Sequence, residues 1–439
     1  MTGTGRDGAP AGGGVAMRTV ARRRVSARTV SACVLAVILS ACGDGRSGSD
    51  NPASEFPATG FYRVAQTSER WWLAHPAGHR FYAIAINHVD SRGYTDRTTG
   101  TCPYCETIAR KYGDAQRWRE AAVGRLQEWG FNTIGAWSDG EGFGTAMAYT
   151  PILNIGSGVK DYFSTELEQQ AARIAASAVR PRRDDSNLLG WFLGNEMHWG
   201  RDWRSQHPLL EDYLELPEEA PGRVVAEAHR GDPGGFLLAV ADRYFAVATR
   251  AVRAEDPNHL ILGVRASTIA TPPEVVQAAA PWLDVFSVNH YDLPPGWQGL
   301  YNVFDTTESD DWLRRYHELS RLPLMITEFT YRAKESDVPN TYPPIYYLFE
   351  TQAERAEAMR TYVQRCYDAP YIVGHHWFEY YDDPPGGRSD GEDSNFGLVS
   401  NDDEPYAAMV ETMKKIHARA PHLSALGAAQ PSGMATNRP

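Results

Sequence analysis

The sequence lacks the signatures of several common enzyme and binding classes. It contains no HExxH metal pair and no Ser-His-Asp arrangement in an elbow context, so neither a zinc peptidase nor a serine hydrolase is indicated. Positive charge is scarce: 43 lysines and arginines stand against 55 aspartates and glutamates, for a formal net charge of -12. Binding to nucleic acid requires a basic face, so nucleic acid is not expected as a partner. With 42% hydrophobic residues, the chain can still bury a large core.

Cysteine is scarce as well, with 5 residues in 439. Cys33 and Cys42 lie near the N-terminus, and Cys366 stands alone on a predicted helix. Cys102 and Cys105 enclose a Cys-Pro-Tyr-Cys motif in a predicted loop. That loop lacks the βαβ context of a thioredoxin-like site, and no second pair of ligands accompanies the motif to form a zinc site. A local disulfide between Cys102 and Cys105 is therefore predicted.

The N-terminal segment is typical of an export signal. Residues 18–28 are rich in arginine without acidic residues, and the apolar run 30–39 that follows is too short to span a bilayer. The run ends in Leu-Ser-Ala-Cys at Cys42, which resembles a bacterial lipoprotein signal whose cysteine is acylated. Residues 1–42 are thus predicted to be a lipoprotein signal, with an ordinary cleaved signal as the alternative. Residues 43–58, rich in Gly and Ser, are predicted to form a flexible tether.

These features predict an exported chain that is held at the cell membrane by lipid or released outside the cell. Translation is expected to start at Met17, directly before the arginine-rich stretch, with Met1 as the alternative. Mass analysis of the unprocessed N-terminus distinguishes the two starts. The oligomeric state is left open.

After a predicted β-meander at 61–64, 71–73 and 80–82, apolar strands alternate with amphipathic helices. Eight such strands are predicted, at 83–87, 132–136, 152–155, 188–193, 259–264, 284–288, 324–327 and 371–375. Capping boxes are predicted for two helices, at Thr165 with Glu168 and at Thr351 with Glu354.

This alternation predicts an α/β fold, a (β/α)₈ TIM barrel over residues 59–420 with a loose tail at 421–439. The rival is a doubly wound open sheet. Such a sheet usually has a Gly-rich phosphate loop after its first strand, and none is present here.

Polar and aromatic residues follow most of the predicted strands, where a TIM barrel builds its active site. They are Asn87, His88, Asp90, Trp137, Asp139, Asn195, Glu196, Arg265, Asn289, His290, Tyr291, Asp292, Glu328, Trp377 and Glu379. This set of carboxylates, amides and rings suits sugar chemistry best. The 12 Trp and 22 Tyr residues fit it as well, because an aromatic face can cover a pyranose, although core packing also uses such rings.

Two glutamates stand out because Glu196 follows the fourth predicted strand and Glu328 the seventh, nearly opposite each other in a closed barrel. Glycoside hydrolysis uses two carboxyl groups that flank the scissile bond. The pair is therefore interpreted as catalytic. A structural ion pair with Arg265 is the alternative.

Several stretches together resemble a known group of enzymes. They are FYRVAQTSERWWLAHPAGHRFYAIAINHV, WGFNTIGAWSD, NLLGWFLGNEMHWG, VFSVNHYD, PLMITEFTYRAKESDVPNT and GHHWFEYYDDPPGGRSDGEDSNFGLV. They are similar to clan A glycoside hydrolases, which carry Asn-Glu after strand four and a nucleophilic Glu after strand seven. More narrowly, they resemble the family 50 β-agarases. The resemblance covers nearly all of the predicted barrel, but only a short β segment precedes it, where those agarases have a large sugar-binding domain.

The resemblance implies a retaining mechanism and specific roles. Glu196 would be the acid/base and Glu328 the nucleophile, with Asn195 bonded to the sugar 2-hydroxyl. Tyr291, with His290, would orient the nucleophile. Trp377 would be a platform under the sugar.

Further substrate contacts are expected at Asn87, His88, Trp137 and Glu379, and at Asn395 in the acidic loop 390–395. That loop lacks the EF-hand pattern of a calcium site, and the spacing of the histidines fits no known ligand set. No metal and no cofactor is therefore predicted.

The predicted function is cleavage of β-galactosidic bonds in agarose-like polysaccharides or oligosaccharides. The alternatives are another clan A activity (β-galactosidase, β-mannanase or β-glucanase) and a lipid-anchored sugar-binding protein without catalysis.

Overall fold

The computed structural model describes residues 55–139, 147–297, Leu300 and 309–420. All of them belong to one compact unit, Pro52–Pro439. The predicted signal at 1–42 with Cys42, most of the tether at 43–58, and the tail at 421–439 lie outside the described residues. Within the described ranges, no helix has both the length and the apolar character needed to cross a bilayer.

The first element of the described residues is a small antiparallel sheet. Its strands are β1 (Arg63–Gln66), β2 (Trp71–Ala74) and β3 (Arg80–Phe81), in the order β1-β2-β3. The chain turns between β2 and β3 through a hydrogen bond of 2.9 Å from His75 N to His79 O. This sheet is the β-meander that the sequence predicts.

Strands and helices then alternate along the chain. The remaining strands are β4 (Ala83–Ile86), β5 (Thr133–Ile134), β6 (Ala148–Tyr149), β7 (Gly190–Phe192), β8 (Leu260–Gly263), β9 (Ala266–Ser267), β10 (Phe286–Asn289), β11 (Leu324–Phe329), β12 (Arg332–Ala333), β13 (Leu348–Phe349) and β14 (Ile372–Trp377). The helices are α1 (Pro103–Tyr112), α2 (Ala115–Glu128), α3 (Thr165–Ile174), α4 (Leu209–Leu214), α5 (Pro221–Ala228), α6 (Pro233–Glu255), α7 (Pro273–Ala279), α8 (Ser309–Ser320), α9 (Gln352–Asp368) and α10 (Ala407–His417). Short π and 3₁₀ turns extend α3 and α7, at Ala175–Val179, Arg180–Arg182 and Ala280–Trp282.

The strands that matter for function are parallel. One sheet has the order β6-β5-β4-β14-β11-β10-β9, and β7 pairs with β8 in a second sheet. Isolated parallel bridges join Tyr149 to Leu188 and Ile152 to Phe192, so the β6 end of the large sheet meets β7. The α/β class with a parallel sheet is therefore confirmed.

The third predicted strand, 152–155, is misplaced, because the strand that pairs with β5 is β6 at Ala148–Tyr149. Pro151 has no amide hydrogen, so it cannot continue this ladder as a donor. Segment 152–155 pairs instead with the end of β7, where Leu153 N donates to Phe192 O at 2.9 Å.

Only one of the two predicted capping boxes forms. At the start of α9, Glu354 N donates to Thr351 Oγ1 (3.2 Å) and Thr351 N to Glu354 Oε2 (3.0 Å). The prediction at Thr165 is wrong because that residue is already the first in α3, and Ser164 takes the capping position without a side-chain bond to the helix.

Cys102 and Cys105 are joined by a disulfide, with their Cα atoms 5.3 Å apart. The predicted loop location is wrong, however. Cys102 caps the N-terminus of α1, which Pro103 begins.

The buried Arg355 ties α9 to the loops that follow β11 and β14. It is 0% exposed, and its guanidinium donates to the carbonyls of Tyr331 (2.8 Å), Phe396 (3.0 Å) and Gly397 (3.0 Å). We expect Arg355→Met to lower the free energy of unfolding by about 3–5 kcal/mol, because buried acceptors lose their donor and buried Asp382 loses a nearby cation. Chemical denaturation followed by circular dichroism measures the change.

Arg360→Met on the same helix is the matched control. Arg360 is exposed and pairs with exposed Glu357, so its loss should leave the denaturation midpoint almost unchanged. Equal midpoints for the two variants would contradict the structural role of Arg355.

Candidate active site

The two predicted catalytic glutamates lie at the same end of the parallel strands. Glu196 follows β7, and its backbone N donates to Val264 O, just after β8, at 3.0 Å. Glu328 lies within β11 and is in register with Asn289 at the end of β10. Backbone pairing therefore fixes both residues.

Glu328 is held by a cation and a phenol. Arg265 Nη2 lies 2.9 Å from its Oε1, and the Tyr291 hydroxyl donates to its Oε2 at 2.6 Å. Arg265 is itself 0% exposed, and its Nη2 also donates to Thr327 O at 3.0 Å. Both carboxylate oxygens thus have a strong donor, an arrangement that suits a negatively charged side chain in a fixed orientation.

The Asn195 amide is oriented by two neighbours. Its Oδ1 accepts hydrogen bonds from Arg265 Nη1 at 2.7 Å and from Asn289 Nδ2 at 3.3 Å. Since the oxygen is occupied by protein donors, the Nδ2 side of the amide is the side that can donate to a sugar hydroxyl.

Glu196 has the properties of a general acid. Burial raises the pKa of its carboxyl to about 7, and the negative charge of Glu328 acts in the same direction. A hydrogen bond from Asn289 and the positive charge of Arg265 oppose the rise. At neutral pH, Glu196 can therefore hold a proton beside the charged Glu328.

Four residues at strand ends adopt left-handed backbone conformations although none is glycine. The φ angles are 55° at His88, 63° at Trp137, 44° at Glu196 and 49° at Arg265. Such conformations cost of order 1–3 kcal/mol each and cluster at functional sites. These four residues follow β4, β5, β7 and β8, at the end of the strands where the candidate site lies.

A cavity of about 590 Å³ opens beside this centre. His88, Tyr94 and Trp137 contribute to its lining. Trp137 is partly exposed, and the Arg265 guanidinium lies 5.5 Å from its ring centroid. The cavity therefore adjoins the residues that hold Glu328.

Glu379 lies in a second charged cluster, where it is 0% exposed. The Tyr94 hydroxyl donates to it and also contacts His88 Nδ1, while Arg388 Nη1 lies 3.5 Å from its Oε1. Arg388 also pairs with Glu392. Burial raises the pKa of Glu379 well above its usual range and that of Glu392 to about 8. Glu379 therefore contacts Tyr94 and Arg388, and through Tyr94 it supports His88, which lines the cavity.

Trp377 and Asn395 lie in the protein interior. Trp377 is 1% exposed, and its Nε1 donates to Phe396 O at 3.0 Å. Asn395 is 0% exposed; its Oδ1 accepts from Arg355 Nη1 at 3.0 Å and its Nδ2 donates to Asp382 at 2.8 Å. Both side chains are therefore buried within the protein, and the partly exposed rings of Trp137 and Tyr291 lie nearer to the centre, against Arg265 and Glu328 respectively.

Asn87 and His290 contact the strand that carries Glu328. Asn87 Nδ2 donates to Thr327 O at 2.9 Å, and Asn87 and His290 are both fully buried. His290 N donates to Glu328 O at 2.9 Å, while its ring Nδ1 lies 2.9 Å from Thr268 Oγ1. Burial lowers the pKa of His290 to about 4, so its ring is neutral. Both residues position the strand that carries Glu328.

Sequence reasoning missed part of the site. It placed Arg265 among the polar residues that follow the strands and named it as an alternative ion-pair partner, but assigned it no part in holding the site together. In the structure, Arg265 contacts Glu328, Asn195 and the Trp137 ring. Sequence reasoning did not find Tyr346, which stacks on Tyr291 with ring centroids 4.3 Å apart. The sequence signal for Arg265 was its position directly after a predicted strand. Nothing in the sequence indicated that Tyr346 belongs to the site.

Among the residues that the structure describes, no group of three or more His, Cys, Asp or Glu side chains has an arrangement that could hold a metal ion.

Comparison with known proteins adds an independent line of evidence. No family model matches the chain. β-Agarase A from Vibrio sp. (strain JT0107) is 26% identical over 383 residues, covering 72% of this chain and 37% of the relative. β-Agarase B from the same strain is 25% identical over 484 residues, covering 84% and 49%. The homologues of this chain are β-agarases. The chain spans half or less of the length of these curated relatives.

Solved structures show the same likeness. The crystal structure of an agarase, AgWH50C, matches with a TM-score of 0.72 and 26% identity, over 84% of this chain and 64% of that one. An exo-β-agarase matches with a TM-score of 0.70 and 24% identity, over 84% and 66%. Both of these solved structures are agarases, and the match shows that this chain shares their fold over most of its length.

Proposed function

We propose that this chain is a retaining glycoside hydrolase that cleaves β-galactosidic bonds in agarose-like polysaccharides or oligosaccharides. The observation that carries the proposal is the paired arrangement of Glu328, fixed by Arg265 and Tyr291, and Glu196, whose pKa is raised to about 7. One carboxyl is suited to attack and the other to donate a proton. The similarity to β-agarases over most of the chain supports the choice of substrate.

The reaction would proceed in two displacements. In the first, a Glu328 oxygen bonds to the anomeric carbon, the glycosidic C–O bond breaks, and the Glu196 proton moves to the leaving oxygen. In the second, the Glu196 carboxylate removes a proton from water, whose oxygen bonds to the anomeric carbon as the ester to Glu328 breaks. After the first displacement Glu328 is an uncharged ester and Glu196 is ionised, and the second displacement returns both residues to their starting charges. Asn195 Nδ2 would donate to the 2-hydroxyl of the sugar being cleaved.

We also propose that residues 59–420 form a closed (β/α)₈ barrel of the clan A type. Bridges from β6 to β7 support closure on one side, and the hydrogen bond from Asp284 N to Ile261 O (3.0 Å) ties β8 to the segment before β10. A further support is one buried apolar layer drawn from strands around the ring. Its members include Ala83, Ala148, Leu189, Leu260, Val285, Met325 and Val373. TIM barrels fill their interiors with such layers.

Activity on a panel of polysaccharides tests the proposed substrate. Purified protein would be incubated with agarose, porphyran, β-mannan and β-glucan, and new reducing ends would be counted. We expect release from agarose above all. Release only from mannan or glucan would favour another clan A activity. Tight binding to one glycan without release from any would favour a sugar-binding protein.

We also propose that the chain is exported and anchored by lipid at Cys42, on the evidence of the signal-like segment at 1–42. Cys42→Ser removes the acylated atom, so the protein is expected to leave the membrane fraction. Immunoblotting of salt-washed membrane and supernatant fractions measures the shift. Cys33→Ser, within the same segment, is the control and should remain with the membrane. Retention of Cys42→Ser with a cleaved N-terminus would contradict the lipid anchor.

A further inference from the structure

Exposed aromatic side chains follow two of the strands near the candidate site, with Trp203 after β7 and Trp297 after β10. Among the residues that the structure describes, five large hydrophobic side chains are prominently exposed: Trp203, Trp297, Tyr342, Val224 and Leu238. The two aliphatic ones lie on helices α5 and α6, whereas the three aromatic ones lie in segments that follow β7, β10 and β12. An indole with an open face near a candidate sugar site is a candidate stacking surface, because an aromatic face can cover the apolar face of a pyranose.

Trp203 is the most informative of the three, because its segment is rigidly held. Its neighbour Asp202 is 2% exposed and accepts hydrogen bonds from Arg204 N (2.6 Å), Arg204 Nε (2.9 Å) and Ser205 N (3.2 Å). The Arg204 guanidinium then lies 4.6 Å from the centroid of the Trp203 ring. Trp203 is 49% exposed although its surroundings are fixed, so the ring has a defined orientation with open surface.

The same network connects Trp203 to the acid/base. Asp202 Oδ2 lies 2.9 Å from Nδ1 of His198, which is two residues after Glu196. Arg204 is also close enough to Glu196 for its positive charge to act on that carboxyl. Trp203 is thus attached to the Glu196 side of the centre, whereas Glu328 lies on β11 and is held by Arg265 and Tyr291.

We propose that Trp203 is a stacking platform for the sugar unit on the leaving-group side of the cleaved bond. This inference rests on the proposed function, because the acid/base of a glycosidase protonates the leaving oxygen and therefore lies beside the departing part of the chain. The apolar face of a galactopyranose ring would cover the open indole face. Trp203 would then determine how well the enzyme accepts a carbohydrate, as opposed to a small group, as the leaving group.

The test separates two substrates of the same protein. Trp203→Ala is expected to raise KM for the agarose-like polysaccharide about tenfold, equivalent to about 1.4 kcal/mol. It should leave kcat/KM unchanged for the matching oligosaccharyl fluoride, because a fluoride leaving group is too small to reach the indole. Trp203→Phe should keep most of the polysaccharide activity, and Trp203→Leu, which is apolar without a ring, should behave like Trp203→Ala. Leu238→Ala, an exposed apolar position on α6, is the control and should match wild type on both substrates.

Binding gives a readout that does not depend on turnover. In affinity electrophoresis through gels that contain the polysaccharide, the Glu328→Gln protein should be retarded, and adding Trp203→Ala should abolish most of the retardation. Unchanged retardation, or an unchanged KM for polysaccharide, would overturn the platform. Equal losses on the fluoride and the polysaccharide in all three Trp203 variants would also overturn it in favour of a structural role. Lack of activity of the wild type on both substrates would count against the proposed function, and retardation would then still decide whether Trp203 binds sugar.

Discussion

Replacing Glu328 by alanine should lower kcat/KM at least about 10³-fold on every substrate, a loss of about 4 kcal/mol in transition-state stabilisation. The reason is that the covalent route needs this carboxylate, which Arg265 and Tyr291 hold in place. Among the described residues, Glu328 is the one carboxyl that contacts both Arg265 and Tyr291. Initial rates on polysaccharide and on an aryl glycoside measure the loss.

Azide or formate makes the result specific. A small anion can occupy the space of the missing carboxylate. It then attacks the anomeric carbon of an activated aryl glycoside from the face that Glu328 would occupy, opposite the leaving group. Glu328→Ala with azide is therefore expected to yield a glycosyl azide of inverted configuration. Glu350→Ala, at an exposed glutamate paired with Lys334, is the matched control and should behave like wild type without azide product. More than a tenth of wild-type activity in Glu328→Ala would exclude Glu328 as the nucleophile.

Glu196→Ala should separate substrates according to their leaving groups. Polysaccharide needs a proton at the departing oxygen, so its hydrolysis should fall by about 10²–10⁴-fold, the usual contribution of general acid catalysis. Aryl glycosides with good leaving groups need no such proton and should retain much of their glycosylation rate. Comparison of kcat/KM on the two substrates measures this difference.

The pH profile of the wild type provides a second readout. Burial and Glu328 raise the pKa of Glu196 to about 7, so the protonated, active form is present below that value and is lost as the pH rises through it. Activity on polysaccharide should therefore decline on the alkaline side near pH 7, and the residual polysaccharide activity of Glu196→Ala should lack this limb. Wild-type behaviour of Glu196→Ala on both substrates would place the acid/base elsewhere. Glu379 would be tested next, although it is buried against Tyr94 and Arg388.

The elements that sequence predicts well are those whose signals are local. Alternation of apolar strands and amphipathic helices follows from the periods of the two structures, and the β-meander and the parallel strands are found where those periods indicate. The capping box at Thr351 and Glu354 needs only four consecutive residues, and it forms. The third strand fails because its pairing depends on where β5 and β7 lie, which residues 148–155 alone do not specify.

The same distinction applies to the site. The placement of Glu196 and Glu328 on one face could be predicted because Glu196 follows β7 and Glu328 lies near the end of β11. Trp377 and Asn395 could not, because their exposure depends on contacts with Arg355, which lies on a helix elsewhere in the chain. The charged cluster around Arg388, which contacts Tyr94 and Glu392, likewise joins loops that are far apart in sequence. Which side chains line the candidate site therefore depends on packing between distant parts of the chain, which the sequence pattern does not predict.

The configuration of the first product tests the central claim most directly. Proton NMR during the first minutes of hydrolysis distinguishes the α and β anomers at the new reducing end before they equilibrate. With Glu328 as nucleophile and Glu196 as acid/base, a β-linked substrate should give the β anomer first, followed by slow conversion to the mixture. Appearance of the α anomer first would mean direct attack by water and would contradict the two-step mechanism.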